Sequence, residues 1–91
     1  MGFIYNGKPI IPTKEALTEL SDIGLDLYLV QEILETGFQL RKRKKNITEK
    51  AIRKGNKIIN VVVVDIGNYY KLIHFGEFSM NKKFKKLLKE A

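Results

Sequence analysis

Residues 57–66, KIINVVVVDI, are the stretch of sequence that decides the fold. They are rich in β-branched side chains and almost continuously apolar, which favours a strand that is largely covered on both faces. Turn sequences at 55–56 and 67–68 bound this strand on either side. The flanking segments, ITEKAIRK at 47–54 and YYKLIHFGEF at 69–78, are predicted to be its neighbours. We therefore expect an antiparallel meander around residues 57–66.

The chain before this meander predicts a short hairpin and two short helices. Asn6-Gly7 lies between apolar residues and favours a tight two-residue turn. Thr13 is placed to cap the first helix, because its hydroxyl can accept a hydrogen bond from a first-turn N–H. Apolar residues then recur at helical spacing as far as Gly24, and again as far as Gly37. Gly37 is predicted to take the left-handed conformation that often ends a helix.

The expected fold is a single α+β domain that spans residues 1–91. Its two N-terminal helices are predicted to pack on one face of the antiparallel meander. A short C-terminal basic helix is predicted after Ser79, with Phe84, Leu87 and Leu88 closing the core.

The composition excludes several classes of site. The chain has no cysteine and one histidine, so disulfides, cysteine-based zinc sites and histidine-rich metal clusters are excluded. No metal ion or other cofactor is predicted. No apolar run is long enough to span a bilayer, and the N-terminus lacks the pattern of a signal peptide. We therefore expect a cytoplasmic protein that does not bind membranes.

The net charge is +7, and it is unevenly distributed. Residues 1–37 carry a net charge of −4, residues 38–57 carry +8 and residues 58–91 carry +3. The basic part would attract phosphates, whereas the acidic part would repel them or bind a basic partner. RNA or another polyanion is therefore the expected partner.

The run RKRKK at 41–45 is the densest part of the basic region. A twisted sheet that carries Arg and Lys on one face can follow a sugar-phosphate backbone. The candidate nucleic-acid-binding residues are Arg41, Arg43, Lys45 and Arg53. The alternative is a solvated hairpin in which lysines only prevent pairing between sheet edges. That alternative explains five consecutive positive residues less well, because they repel one another without helping the fold.

His74 lies in the last predicted strand. On a regular strand it shares one face with Tyr70, Leu72 and Phe78, whereas Phe75 lies on the other. Cleaving RNA without a metal requires a proton-transferring group and cations at the phosphorane. His74 and Tyr70 are therefore the candidate catalytic residues. A lone histidine among aromatic residues is nevertheless more often a half-buried strand residue with a satisfied hydrogen bond, and that interpretation is favoured.

The order of these elements resembles that of the small DUF4258 proteins and, more widely, of RelE- and BrnT-like toxins. The resemblance runs from about Thr13 to Phe78. It rests on the helix–Gly–helix unit around Gly24, the stop at Gly37 and the paired strands near the end. It implies a compact α+β fold with helices on one face of the sheet. It also implies a basic opposite face that cuts RNA, often on the ribosome, and an antitoxin-like protein partner.

The sequence departs from that family in its first helix. DUF4258 proteins tend to carry one histidine and two arginines there, and aligning Gly24 with their glycine puts Glu15, Glu19 and Ile23 at those positions. The roles of the three basic residues therefore do not transfer to this chain.

Two functions follow as hypotheses. The first is a basic RNA-binding protein, either a metal-independent ribonuclease toxin or an inactive relative, with His74 at the floor of a shallow basic groove. The second is a non-catalytic interaction domain that binds an oppositely charged protein.

Overall fold

The computed structural model describes residues 3–24, 27–40 and 43–79. Two helices and six strands follow one another in these residues. The predicted C-terminal helix, with Phe84, Leu87 and Leu88, lies outside the described residues. The elements are β1 (Ile4–Tyr5), β2 (Lys8–Pro12), α1 (Lys14–Ile23), α2 (Leu27–Thr36), β3 (Phe38–Gln39), β4 (Ile47–Lys54), β5 (Lys57–Asp65) and β6 (Tyr70–Ser79).

The predicted antiparallel meander with two helices packed on it is wrong. The six strands form one mixed sheet in the order β1-β2-β6-β5-β4-β3, and this sheet curls into half a barrel. β2 pairs in parallel with β6, with Ile10 opposite Tyr70 and Pro12 opposite Leu72. The hairpin that precedes the helices is thus joined to the last described strand. Turn signals in a sequence report only local pairing, so they gave no sign of this long-range contact.

Local signals in the hairpin and in α1 are confirmed. Asn6 and Gly7 both have positive φ, 51° and 76°, as a tight hairpin turn requires. The Thr13 hydroxyl accepts a hydrogen bond from the Ala16 N–H at 3.1 Å, which caps α1. Gly24 ends α1 in the left-handed conformation, and its N–H donates to the Leu20 and Ser21 carbonyls.

Gly37 has a different role from the predicted one. It is not among the glycines with positive φ, and its N–H donates to the Ile33 carbonyl at 2.8 Å. A Cβ at this position would overlap the Ile33 carbonyl oxygen and lie 2.7 Å from the Ala51 carbonyl oxygen. Glycine is required here because the end of α2 approaches the backbone of β4 too closely for any side chain.

The sheet has apolar contacts on both faces. α1 packs on β6, and α2 packs on β4 and β5. The main core lies between these helices and the sheet, and it consists of Ile10, Ala16, Leu20, Val30, Ile33, Leu34, Ile59, Val61, Val63, Tyr70, Leu72 and Phe75. A smaller cluster on the opposite face consists of Leu40, Ala51 and Ile58, with Phe38 and Phe78 packed against it. β5 is therefore an inner strand covered on both faces, as its sequence predicted.

Polar and aromatic contacts hold the N-terminal hairpin on the sheet. Lys8 Nζ donates to both carboxylate oxygens of Asp65, at 3.0 and 3.1 Å. The rings of Tyr5 and Tyr70 have centroids 5.2 Å apart, and the Asn6 side-chain amide donates to the Tyr70 hydroxyl at 3.3 Å.

Neither helix in the described residues is long and apolar enough to cross a membrane.

Replacing Asp65 with Asn should destabilise the protein at neutral pH but much less in acid. The hydrogen bond from Lys8, with a second from the Gly67 N–H, lowers the pKa of Asp65 below its ordinary value of 3.8. The unfolded chain therefore takes up the proton first as the pH falls. The contribution of Asp65 is complete above about pH 5 and is lost as the pH falls through the lowered pKa.

Urea unfolding of the wild type and Asp65→Asn, at pH 7 and again near pH 3, measures this difference. Asp22→Asn is the matched control, because Asp22 makes no ion pair within the described residues. An Asp65→Asn effect of the same size at both pH values would show that the ionised carboxylate is not the cause.

Candidate functional site

Four basic side chains converge on one cleft of about 370 Å³. The cleft lies beside Tyr5 of the N-terminal hairpin and the first half of β4. Its polar lining also includes Gln39 and Thr48. The four basic residues, here called the basic cleft residues, are Arg43, Lys44, Lys45 and Lys50.

The basic cleft residues differ in the contacts that position them. Lys50 Nζ donates to the Leu34 carbonyl in the last turn of α2 at 3.0 Å, where the helix dipole favours a cation. Arg43 Nε donates to Glu49 Oε1 at 2.9 Å. Lys44 and Lys45 are exposed just before β4, and neither makes an ion pair within residues 3–24, 27–40 and 43–79. Only Arg43 is thus paired with a described carboxylate, and three of the four charges are not neutralised in this way.

The basic cleft contains only part of the predicted nucleic-acid-binding set. It brings Arg43 and Lys45 together, whereas Arg53 lies at the far end of β4 and its Nε donates to the Gly55 carbonyl at 3.1 Å. Arg41 lies outside the described residues. Lys50 was not among the nucleic-acid-binding residues predicted from the sequence. The signal for it was the last turn of α2, which has no basic residue of its own and so needs a donor from elsewhere.

A buried polar chain leads from the basic cleft across one face of the sheet, from β4 to β5. Glu49 on β4 is only 2% exposed and accepts the hydrogen bond from Arg43 on one oxygen. Its other oxygen accepts from Asn60 Nδ2 on β5 at 2.9 Å. Buried carboxylates require such partners, because an unpaired one is costly in an apolar interior. Sequence reasoning assigned no role to Glu49 or Asn60.

His74 lines a second cleft, of about 500 Å³. Its Nδ1 lies 3.3 Å from Glu19 Oε2, and its side chain is 47% exposed. The other Glu19 oxygen accepts from the Phe75 N–H at 3.4 Å, so α1 contacts β6 beside the histidine. The remaining residues that line this His74 cleft are Asp22, Asn60, Gly76, Glu77 and Phe78.

A β-bulge changes which side chains accompany His74. Val62 pairs with His74, but the next residue, Val63, pairs with Leu72. Ile73 is therefore an extra residue, and the alternation of β6 reverses there. As a result Phe75 joins the main core with Leu72, whereas His74 points to the opposite face. The prediction that Tyr70, Leu72 and His74 share a face is wrong, since it assumed a regular strand.

The described contacts of Tyr70 are with the main core and the N-terminal hairpin. It is buried in the main core, and its hydroxyl accepts from Asn6 on the hairpin. Lys8 Nζ lies 5.4 Å from the centre of its ring. The structure therefore places the two candidate catalytic residues on opposite faces of the sheet. Tyr70 helps to hold the N-terminal hairpin on the sheet.

The charge around His74 is the reverse of the predicted one. The hypothesis of a ribonuclease placed His74 at the floor of a basic groove. Among the described residues the lining of the His74 cleft contains the carboxylates of Glu19, Asp22 and Glu77 and no Lys or Arg. Within that same part of the chain, no group of three or more His, Asp or Glu side chains is arranged to hold a metal ion.

No protein-family model, curated protein or solved structure matches this chain. The resemblance to DUF4258 proteins therefore stays a prediction, and the functional argument rests on the two clefts.

Proposed function

We propose that the protein binds RNA through the basic cleft. The observation that carries this proposal is the convergence of Arg43, Lys44, Lys45 and Lys50 on one cleft. Lys44 and Lys45 have no carboxylate partner within the described residues. Like charges held close together repel one another, and a phosphate backbone relieves this repulsion while releasing its own counterions.

The basic cleft favours binding without sequence preference. Phosphate contacts orient RNA but carry no sequence information. Stacking of bases would require an open aromatic ring, and Tyr5, the aromatic residue in the described lining, already contacts Tyr70 at 5.2 Å. Lys50 Nζ also lies 5.7 Å from the centre of the Tyr5 ring. The affinity should therefore come from charge and depend steeply on salt.

This proposal does not require catalysis by His74. Cleavage of RNA develops negative charge at the phosphorane, which cations stabilise and carboxylates oppose. The described lining of the His74 cleft supplies Glu19, Asp22 and Glu77 and no cation from Lys or Arg. We therefore expect RNA to be bound and left intact. Such a role also fits the cytoplasmic location expected from the sequence.

The variant Lys44→Gln/Lys45→Gln tests this proposal. If each lysine contacts one phosphate, the slope of log K against log salt concentration should become shallower by about 1.4, because each contact with a single strand contributes about 0.7. Fluorescence anisotropy of a labelled oligouridylate, titrated at several salt concentrations, measures this slope.

The control removes the same charge from the far end of β4. Arg53→Gln/Lys54→Gln should leave the slope near the wild-type value, because Arg53 lies outside the basic cleft. Equal losses in the two double variants would mean that only the net charge matters. No binding to the wild type at low salt would refute the RNA proposal.

The same samples, incubated with EDTA, test for cleavage. Full-length RNA should persist with the wild type and with His74→Ala. Cleavage that His74→Ala abolishes would refute the non-catalytic part of the proposal.

A further inference from the structure

The second half of β6 lacks a partner strand on one side. β6 runs from Tyr70 to Ser79, but β2 pairs with only its first three residues and ends opposite Leu72. Beyond Leu72 no strand of the described residues lies on that side, whereas β5 covers the other side. This side of residues 73–79 is here called the β6 edge. A sheet edge of this kind can take an additional strand from another chain.

The backbone of Glu77 is turned toward the β6 edge. In a strand the N–H and carbonyl of one residue point to the same side, and those of the next residue point to the other. The Phe75 N–H points away from β5, because it donates to Glu19 on α1 at 3.4 Å. Glu77 lies two residues further on, so its N–H and carbonyl point the same way. No backbone group in the described part of the chain pairs with them on that side.

Carboxylates line the space beside the β6 edge. The His74 cleft, of about 500 Å³, lies between α1 and this edge. Glu19 and Asp22 border it from α1, and Glu77 borders it from β6. Lys57 pairs with Glu77 at 3.0 Å, whereas Asp22 makes no ion pair within the described residues. The β6 edge is therefore acidic on a chain whose net charge is +7.

The two faces of the sheet differ at the β6 edge. Phe75 packs in the main core beneath the helices, and Glu77, two residues further on, shares its face. Glu19 and Asp22 approach from that same face, because they belong to α1. Phe78 packs against the smaller apolar cluster on the opposite face. A strand added here would therefore meet carboxylates with one set of alternate side chains and an apolar surface with the other.

We propose that the β6 edge binds an extended peptide of a partner protein, in which basic and apolar residues alternate. The peptide would add as an antiparallel strand, the more stable of the two kinds of pairing. Its basic side chains would lie on the helix face, beside Asp22 and Glu77. A second copy of this chain is disfavoured as the partner, because pairing β6 with β6 would bring the same carboxylates together. The proposal is independent of RNA binding, because no residue lines both clefts among those described.

Backbone methylation of a model peptide separates strand addition from attraction between charges. The peptide is KVKVK, acetylated and amidated. In an antiparallel pair, a residue that exchanges hydrogen bonds with Glu77 has its side chain on the same face as Glu77. The lysine N–H groups would therefore face β6, and the valine N–H groups would face solvent. Methylating the lysine amides should weaken binding at least tenfold, whereas methylating the valine amides should have little effect.

NMR of the isotope-labelled protein at low salt measures both affinity and location. We expect saturable shifts of the Glu77 amide with KVKVK, with a Kd of about 0.1–1 mM, as a few hydrogen bonds and exposed ion pairs give. The Glu77 amide should exchange readily with solvent in the free protein and become protected when the peptide saturates it. The acidic peptide EVEVE should produce no such shift.

Two protein variants assign the charge contribution. Asp22→Asn should weaken KVKVK binding about threefold, because it removes one exposed carboxylate from the site. Glu15→Gln is the matched control, since it removes the same charge from an exposed position of the same helix outside the described lining of the cleft. Its affinity for KVKVK should stay near the wild-type value.

Four outcomes would overturn the proposal. Equal affinity for the two methylated peptides would show that no strand is added. Equal weakening by Asp22→Asn and Glu15→Gln would leave only the net charge as the cause. A Glu77 amide that is protected before peptide is added would show that a second copy, or residues outside the described ones, already occupies the edge. No saturable shift with KVKVK would refute peptide binding altogether.

Discussion

Gly37→Ala is expected to remove about 3 kcal/mol or more from the free energy of unfolding. The added methyl group would overlap the Ile33 carbonyl oxygen and lie 2.7 Å from the Ala51 carbonyl oxygen. Both atoms belong to the backbone, so neither can rotate away. Relief requires the end of α2 to move off β4, which would open the main core. Urea unfolding followed by circular dichroism measures the loss.

Gly24→Ala is the control for this prediction. Gly24 has φ of 77° but no atom within 4 Å of the position that a Cβ would take. Its replacement therefore costs only the left-handed conformation, about 1 kcal/mol. The same chemical change at two helix ends thus separates close approach from backbone conformation. A smaller loss at Gly37 than at Gly24 would contradict the packing described for α2 and β4.

Phe75→Ala is expected to cost about 3–5 kcal/mol. Phe75 is fully buried and is the largest such side chain in the described residues. It occupies the main core because the β-bulge at Ile73 turns it toward the helices. The loss combines the transfer of a large apolar group with a cavity that the surrounding side chains only partly fill.

Ile73→Ala tests the bulge itself. On a regular strand Ile73 and Phe75 would share a face, and both replacements would damage the core. In the bulged strand Ile73 is 38% exposed, so its truncation should cost less than about 1 kcal/mol. Losses of similar size at the two positions, measured by the same urea unfolding, would rule out the register between β5 and β6.

Features that depend on a few neighbouring residues were predictable from the sequence. The Asn6-Gly7 turn, the Thr13 cap and the left-handed Gly24 each follow from the conformational preference of one or two residues. The burial of β5 also followed, because a nearly continuous apolar run must be covered on both faces.

Features that depend on distant pairing were not predictable. The parallel contact of β2 with β6 has no local sign in either segment. The sequence around Ile73 has no pattern that distinguishes a bulge from a regular strand. The bulge nevertheless reverses the face of the sheet on which Phe75 lies. At Gly37 the decisive neighbour is the Ala51 backbone, whose approach only the folded sheet defines.

The candidate sites were predictable to a similar degree. The density of positive charge in the sequence predicted Arg43 and Lys45, because these residues are close together in the sequence and also line the same cleft. The same charge density also predicted Arg53, which lies at the far end of β4, away from the basic cleft. The roles of Glu49 and Asn60 could not be predicted from either residue alone, since they depend on the cross-strand hydrogen bond between the two side chains.

The parallel pairing of β2 with β6 has a consequence for synthesis on the ribosome. The N-terminal hairpin can close as soon as it emerges, but the strand that covers its inner edge is the last one described. Until β6 is made, β2 has an open edge that another nascent chain could join. Pro9 lies within β2 and has no N–H to donate. The next residue, Ile10, donates its N–H to Phe3 in the hairpin, so Pro9 faces the open edge and hinders such pairing there. A proline at this edge therefore disfavours pairing with a foreign strand while the rest of the sheet is translated.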